Sequence, residues 1–148
     1  MKKIIFDSGV KEYQINDNGV LRFNPSDPNV YARLLDATEK IRAVEKDMED
    51  QGKALKDSDG AGALKLLAIA DKQLKNILND TFGNGNDFDE LMGGVNLMAV
   101  ASNGERVITN LLNALLPIVE KGAKMCADQQ VGAAVQLAQK NRAARRAK

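Results

Sequence analysis

The chain has 148 residues, of which 44% are hydrophobic, 28% are charged and 4% are aromatic, and its formal net charge is +1. A chain of this length buries about 68–70% of its unfolded surface, so one domain with an aliphatic core is expected. It has no histidine and a single cysteine, which excludes internal disulfides, histidine-based nucleophile systems and cysteine-rich zinc clusters. No apolar run approaches the length of about 18 residues that spans a membrane. These counts predict an intracellular protein in a reducing compartment.

The first predicted element is a β-hairpin within residues 3–23. Apolar and polar residues alternate on both sides of residues 17–19, Asp-Asn-Gly, which suit a three-residue loop with a left-handed glycine. Residues 3–6, Lys-Ile-Ile-Phe, are predicted to add a third strand, because a lone hairpin is only marginally stable. The loop predicts a register that puts four apolar side chains on one face: Ile15 opposite Leu21 and Tyr13 opposite Phe23.

Two prolines join the hairpin to a long helix. Because a residue that precedes proline avoids helical geometry, Asp27 is predicted to be the N-cap and Pro28 the first helical residue. The helix is predicted over about residues 28–57 from apolar residues that recur every seven positions: Leu34, Ile41, Met48 and Leu55, with Val30, Ala37 and Val44 as a second stripe.

The remaining elements are predicted to be helices. The segment 56–62, Lys-Asp-Ser-Asp-Gly-Ala-Gly, breaks the first helix, and a second helix follows over roughly residues 63–82. Either Asn86 or Asp87 is predicted to cap a short helix that ends at Leu91.

An apolar helix is predicted to begin at a capping box formed by Ser102 and Glu105. Pro117 is expected to break or kink it, and a last helix is predicted from about Ile118. The fold class is therefore mainly α with a small N-terminal β-hairpin (α+β), with about five helices.

The predicted organisation is a single domain over residues 1–139, with the hairpin at 3–23 and the helical part at 28–139, followed by a basic tail at 140–148. The tail has five basic and no acidic residues, so the rest of the chain carries a net charge of −4. Basic residues suit a solvated helix end, or they contact an acidic partner or nucleic acid. No aromatic residue alternates with them, which disfavours base stacking. The candidate contact residues are Lys140, Arg142, Arg145, Arg146 and Lys148.

The sequence lacks the patterns of known catalytic and ligand sites. Residues 79–90 match a calcium-binding EF-hand loop in length, but Asn84 stands where that loop requires glycine. Three nearby acids, Asp87, Asp89 and Glu90, could hold Mg²⁺, but a place in the first turn of a helix explains them more simply. We expect no catalytic residue, no cofactor and no metal site, and we predict that the chain is not an enzyme.

Apolar segments are the remaining candidates for a binding surface. Residues 91–98 combine two methionines with a Gly-Gly pair, and methionine side chains repack easily against imperfect partners. The alternative is that these side chains fill gaps in the core. Residues 111–116 are apolar nearly all round, which suits a core helix or a helix covered by a second copy, so a homo-oligomer is also a candidate. The candidate partner-binding residues are Leu91, Met92, Val95, Leu97 and Met98.

Three segments carry a resemblance to a known family: VKEYQINDNGVLRFNPSDPNVYARLLDATEKI, GNGNDFDELMGGVNLMAVASNGERVITNLLNALLPI and QKNRAARRAK. They resemble the tail assembly chaperones of long, non-contractile-tailed phages and prophages of Gram-positive bacteria, and FNPSDPNVYAR is the most specific block. The resemblance implies a non-catalytic protein of the bacterial host cytoplasm. Such a protein binds the helical tape-measure protein, helps to recruit tail-tube subunits and is absent from the finished particle.

Two other functions stay open from the residues. One is a structural component of the virion, such as a tail or connector subunit. The other is a regulator that binds nucleic acid through the basic tail, which would make binding steeply dependent on salt.

Overall fold

The computed structural model describes residues 1–83 and 85–146, and within them the chain forms one β-hairpin followed by four helices. The prediction of a mainly helical chain with a small hairpin is confirmed, and the predicted number of about five helices is slightly too high. The elements are β1 (Lys11–Ile15), β2 (Gly19–Phe23), α1 (Pro28–Lys53), α2 (Gly60–Phe82), α3 (Phe88–Leu91) and α4 (Val107–Arg146).

The register of the hairpin differs by two positions from the predicted one. Ile15 lies opposite Gly19, and Tyr13 lies opposite Leu21. The loop still has three residues, but the left-handed residue is Asn16, with φ 46°, and not Gly19. A shift of two positions leaves every side chain on its predicted face, because the sides of a strand alternate with a period of two.

A contact outside the hairpin explains this register. The side-chain amide of Asn18 donates to the carbonyl of Leu91 (3.2 Å), which holds the turn against the end of α3. Sequence rules for isolated hairpins do not contain such a contact. On the inner face, Leu21 and Phe23 are fully buried.

Residues 3–6 form no strand, contrary to the prediction. The outer edge of β2 is occupied instead by Asn86, whose side-chain amide donates to the carbonyl of Arg22 (2.8 Å). The Arg22 N–H in turn donates to Asn86 Oδ1 (3.0 Å). One side chain therefore satisfies both outward-facing backbone groups of Arg22 on β2.

Helices α1 and α3 start behind predicted caps, whereas α2 starts three residues before the predicted residue 63, behind a cap that was not predicted. Asp27 accepts from the Asn29 N–H, and Pro28 begins α1. The end of α1 at Lys53 comes earlier than the predicted 57, and α2 starts at Gly60 behind its N-cap Asp59. Asp87 caps α3, as expected.

The core lies where α1, α2 and the hairpin meet the first half of α4. Four aromatic rings form a chain through it, with Phe82 at 5.0 Å from Phe23 and 5.5 Å from Phe88, and Tyr13 stacked on Phe23 at 5.1 Å between centroids. Aromatic pairs at these distances add to the energy of burial. This chain of rings fixes the hairpin to α2 and α3.

Two helices were predicted where α4 is continuous. The helix begins at Val107, after the bridge between Val100 and Arg106, and Ser102 does not cap it. Pro117 lies inside the helix. It is exposed, as is Asn113, whose carbonyl loses its partner to the proline, so the freed group faces solvent and the helix can continue.

Candidate protein-binding surface

The acidic residues near α3 serve the fold. Asp87 accepts from the Asp89 N–H at the start of α3, and Asp89 accepts a hydrogen bond from Lys75 (2.6 Å). Within residues 1–83 and 85–146, no group of three or more His, Cys, Asp or Glu side chains is placed to hold a metal ion.

Lys75 is the one buried cation recorded among the described residues, and it joins two parts of the chain. Its Nζ lies 2.9 Å from Asp71 and 2.6 Å from Asp89. Asp71 also accepts from the Leu97 N–H (2.7 Å). Burial opposes the charge and lowers the pKa of Lys75, but the hydrogen bonds and charges of the two carboxylates outweigh burial and raise it. The network is structural, because it fixes the 93–100 segment on α2.

The predicted partner-binding residues lie mostly inside the protein. Leu91, Met92, Leu97 and Met98 are buried in the core, and only Val95 is exposed. The Arg106 guanidinium also reaches the sulfur of Met98. A partner could touch the four buried side chains only after the segment opens. Their role in binding stays a prediction.

The first half of α4, Val107–Gly122, is the packed half. Its buried residues recur at helical spacing on one face, which meets the core: Ile108, Leu111, Leu115, Val119 and Gly122. Gly122 lies against the joint between hairpin and α1, where an added Cβ would collide with the backbone carbonyl of Pro25. The joint therefore packs directly on α4, and glycine is required there.

The second half of α4, Ala123–Arg146, is the projecting half. It contains no buried residue, although Ala123 and Cys126 are half-buried. At 1.5 Å per residue it extends about 36 Å beyond the core. It nevertheless carries large apolar side chains, with Val131 64% exposed and Val135 50% exposed. Most helical stability in proteins comes from packing of an apolar face, so this exposed apolar face is a candidate surface for another chain.

Five of the exposed apolar side chains form a stripe, and Met125 and Leu137 are exposed outside it. Spacings of three and four residues put the five on one face of the helix, and the same face continues into Arg142 and Arg145. The members of this stripe are Ala127, Val131, Ala134, Val135 and Ala138. Three of its five side chains are alanines, so another helix could approach closely.

The predicted basic contact residues lie at the end of the projecting half and not on a separate tail. Lys140, Arg142, Arg145 and Arg146 are exposed on α4, whereas Lys148 lies outside the described residues. Sequence reasoning did not identify the apolar stripe beside them. The signal was the spacing of Ala127, Val131 and Ala138, which is weak because small residues also suit an ordinary helix face.

No helix in the described part of the chain contains a stretch that is long and apolar enough to cross a membrane. Comparison of the chain with models of protein families, with curated proteins and with solved structures found no match.

Proposed function

We propose that this chain is a non-catalytic phage tail assembly chaperone of the host cytoplasm, which binds the tape-measure protein and helps to recruit tail-tube subunits. The proposal starts from the resemblance described above. The observation that carries it is the projecting half of α4, a helix that presents apolar side chains to solvent and does not contribute buried residues to the core.

Helix-on-helix contact is the mechanism that this surface favours. An amphipathic helix of the tape-measure protein would lie along the stripe, and its apolar face would be covered while the tube is incomplete. Arg142 and Arg145 would meet acidic side chains at one end and set the direction of the bound helix. Small side chains bury little area each, so the complex stays reversible and the tube can displace the chaperone.

Co-expression with a tape-measure protein encoded beside this chain tests the proposal. The chain should raise the soluble yield of the tape-measure protein and co-purify with it. A double substitution in the stripe, Val131→Glu with Val135→Glu, should abolish both effects, because it places two charges in the proposed contact.

A matched control changes charge equally on the opposite face of the same helix. Gln129→Glu with Gln136→Glu also adds two carboxylates at exposed positions, and this variant should still solubilise the tape-measure protein. An equal loss of soluble tape-measure protein with both double variants would contradict recognition by the stripe. No increase in soluble tape-measure protein with the unchanged chain would contradict the proposed function.

Mass spectrometry of purified phage particles separates the chaperone from a structural subunit. A chaperone is absent from the particles, whereas a tail or connector subunit is present in a fixed number of copies. Binding to nucleic acid would instead fall steeply with salt and disappear when residues 140–148 are deleted.

A further inference from the structure

Residues 1–10 are the most exposed apolar segment of the described chain. All ten are exposed, and three consecutive large side chains stand in solvent, with Ile4 at 86%, Ile5 at 80% and Phe6 at 76%. Such residues favour β-strands, and two lysines precede them. Within residues 1–83 and 85–146, no other element covers these three side chains.

The hairpin offers a free strand edge. Both backbone groups of Arg22 bond to Asn86, so they point away from β1. In an antiparallel pair, two opposite residues point their N–H and C=O groups either toward each other or both outward. Glu12 lies opposite Arg22, so the backbone groups of Glu12 point away from β2. The backbone groups of Gln14, two residues further along β1, also point away from β2. No hydrogen bond recorded among residues 1–83 and 85–146 uses these four backbone groups.

An apolar groove lies beside this free edge. It has a volume of about 530 Å³, and it runs between the end of β1 and the packed half of α4. Its apolar walls are formed by Ile15, Met92, Val95, Leu111 and Ile118. A strand added to β1 would therefore direct every second side chain into the groove.

The chain's own leading segment is held away from that edge. The Asn24 side-chain amide donates to the carbonyl of Ser8 (3.2 Å). Asn24 follows β2, on the side of β1 that is already paired. The segment thus leaves at the Phe23 end of the hairpin, whereas the groove lies near Ile15 at the other end.

We propose that residues 4–6 of one copy add as an antiparallel strand to residues 13–15 of β1 of a second copy, with Ile4 and Phe6 in the groove. Strand addition of this kind joins main-chain hydrogen bonds to pockets for alternate side chains. This inference concerns self-association and does not rest on the proposed chaperone function.

Charge selects the antiparallel direction and the register. With Ile4 opposite Ile15 and Phe6 opposite Tyr13, Lys2 extends past the end of β1, on the side of the turn that holds the exposed Asp17. The parallel alternative that fills the groove would put Lys2 beside Lys11, and like charges opposite each other destabilise a sheet. The pairing ends at Phe6, since Asp7 would face Glu12.

The alternation of the strand supplies a matched set of variants. Ile4→Ser and Phe6→Ser remove side chains from the groove, whereas Ile5→Ser makes the same kind of change on the opposite face. All three residues are exposed in the single chain, so none of the changes should alter its fold, which circular dichroism checks.

Size-exclusion chromatography with light scattering measures the number of copies in each species, at protein concentrations from micromolar to millimolar. The unchanged chain should form a species of two or more copies. Ile4→Ser and Phe6→Ser should each return it to a monomer, and Ile5→Ser should leave most of the larger species. The proposal is overturned if the unchanged chain is a monomer at every concentration. It is also overturned if all three variants lose the larger species equally.

Cross-linking tests the register and shows whether the contact is between copies. In a Cys126→Ser background, a chain with Ile5→Cys is mixed with a differently tagged chain that carries Gln14→Cys. The proposed register makes these residues a hydrogen-bonded pair with Cα atoms about 5.5 Å apart, a distance that a disulfide bridges. A disulfide that joins the two tags supports the proposal.

A control chain with Lys40→Cys on the exposed surface of α1 should form no such bond with Ile5→Cys. Equal cross-linking of the Gln14 and Lys40 variants, or no cross-link in the Gln14 mixture, overturns the register and with it the proposal.

Discussion

The two halves of α4 share one helix but have different surroundings. The packed half contributes five buried residues to the core, and the projecting half contributes none. Gly122 marks the boundary, because it is the last buried residue of the helix and lies against Pro25. One continuous helix thus holds the fold with one end and exposes apolar side chains to solvent with the other. Pairs of identical residues in the two halves make this difference measurable.

The largest effect is expected at the boundary glycine. Gly122→Ala adds a Cβ that collides with the backbone carbonyl of Pro25, and a backbone cannot move as cheaply as a side chain. We expect the free energy of unfolding to fall by about 3 kcal/mol. Gly132→Ala, in open space in the projecting half, should raise it by about 0.5–1 kcal/mol because alanine favours the helix. Chemical denaturation measures both, and equal signs would contradict the comparison.

Valines in the two halves give the second test. Val119 is 1% exposed, so Val119→Ala removes buried carbon and leaves a cavity, at a cost of about 2.5 kcal/mol. Val131→Ala should change stability by less than about 0.5 kcal/mol. Thermal unfolding of the two variants, measured side by side, compares their losses of stability. A comparable loss from Val131→Ala would mean that the projecting half packs on the core.

The buried side chain of Lys75 gives the third test. Lys75→Met leaves Asp71 without its charged partner, and we expect a loss of about 2 kcal/mol at neutral pH, less than for a fully buried pair because Asp89 is 65% exposed. Lys72→Met, at an exposed position in the same helix, should have almost no effect.

The raised pKa of Lys75 fixes the pH dependence of that difference. A group whose pKa is higher in the folded state stabilises the fold below its unfolded pKa, here about 10.5, and the stabilisation is lost as pH rises through the folded value. The gap between the unchanged chain and Lys75→Met should therefore be constant at neutral pH and shrink in strong alkali. A gap that grows there would contradict the charged pairing.

The smallest effect is expected at the surface of the hairpin. Arg22 and Glu12 form an ion pair at 3.3 Å, but both side chains are more than half exposed. Glu12→Gln should change the free energy of unfolding by less than about 0.5 kcal/mol, and salt should reduce the change further. A loss above 1 kcal/mol in denaturant titrations would show that this pair holds the hairpin in place.

Local signals allowed much of the fold to be predicted. Asp27 and Asp87 were predicted as caps because their carboxylates accept from free N–H groups, and such capping depends on neighbours in sequence. Asp59 caps α2 by the same chemistry but was not predicted. The register of the hairpin was missed because the side chain of Asn18 bonds to Leu91, far along the chain. Pro117 was predicted to end a helix, yet it lies on an exposed face where the lost hydrogen bond costs little.

The candidate surface was harder to predict than the fold. Met92 and Met98 are typical of an adaptable binding surface, but packing with Leu91 and Leu97 buries them, and burial depends on tertiary contacts. The stripe on the projecting half contains mostly alanine and valine, which composition cannot distinguish from an ordinary helix face. Their exposure on a helix that extends beyond the core makes these residues candidates.

Hydrogen exchange read by mass spectrometry, on the free chain and on its complex with the tape-measure protein, tests the central claim most directly. In the free chain, amides of the packed half should exchange slowly and amides of residues 123–146 quickly, because that half contributes no buried residue. Adding the tape-measure protein should slow exchange throughout 123–146 and leave the packed half unchanged. Protection that appears only elsewhere, for example at residues 91–98, would contradict the assignment of the projecting half as the binding surface.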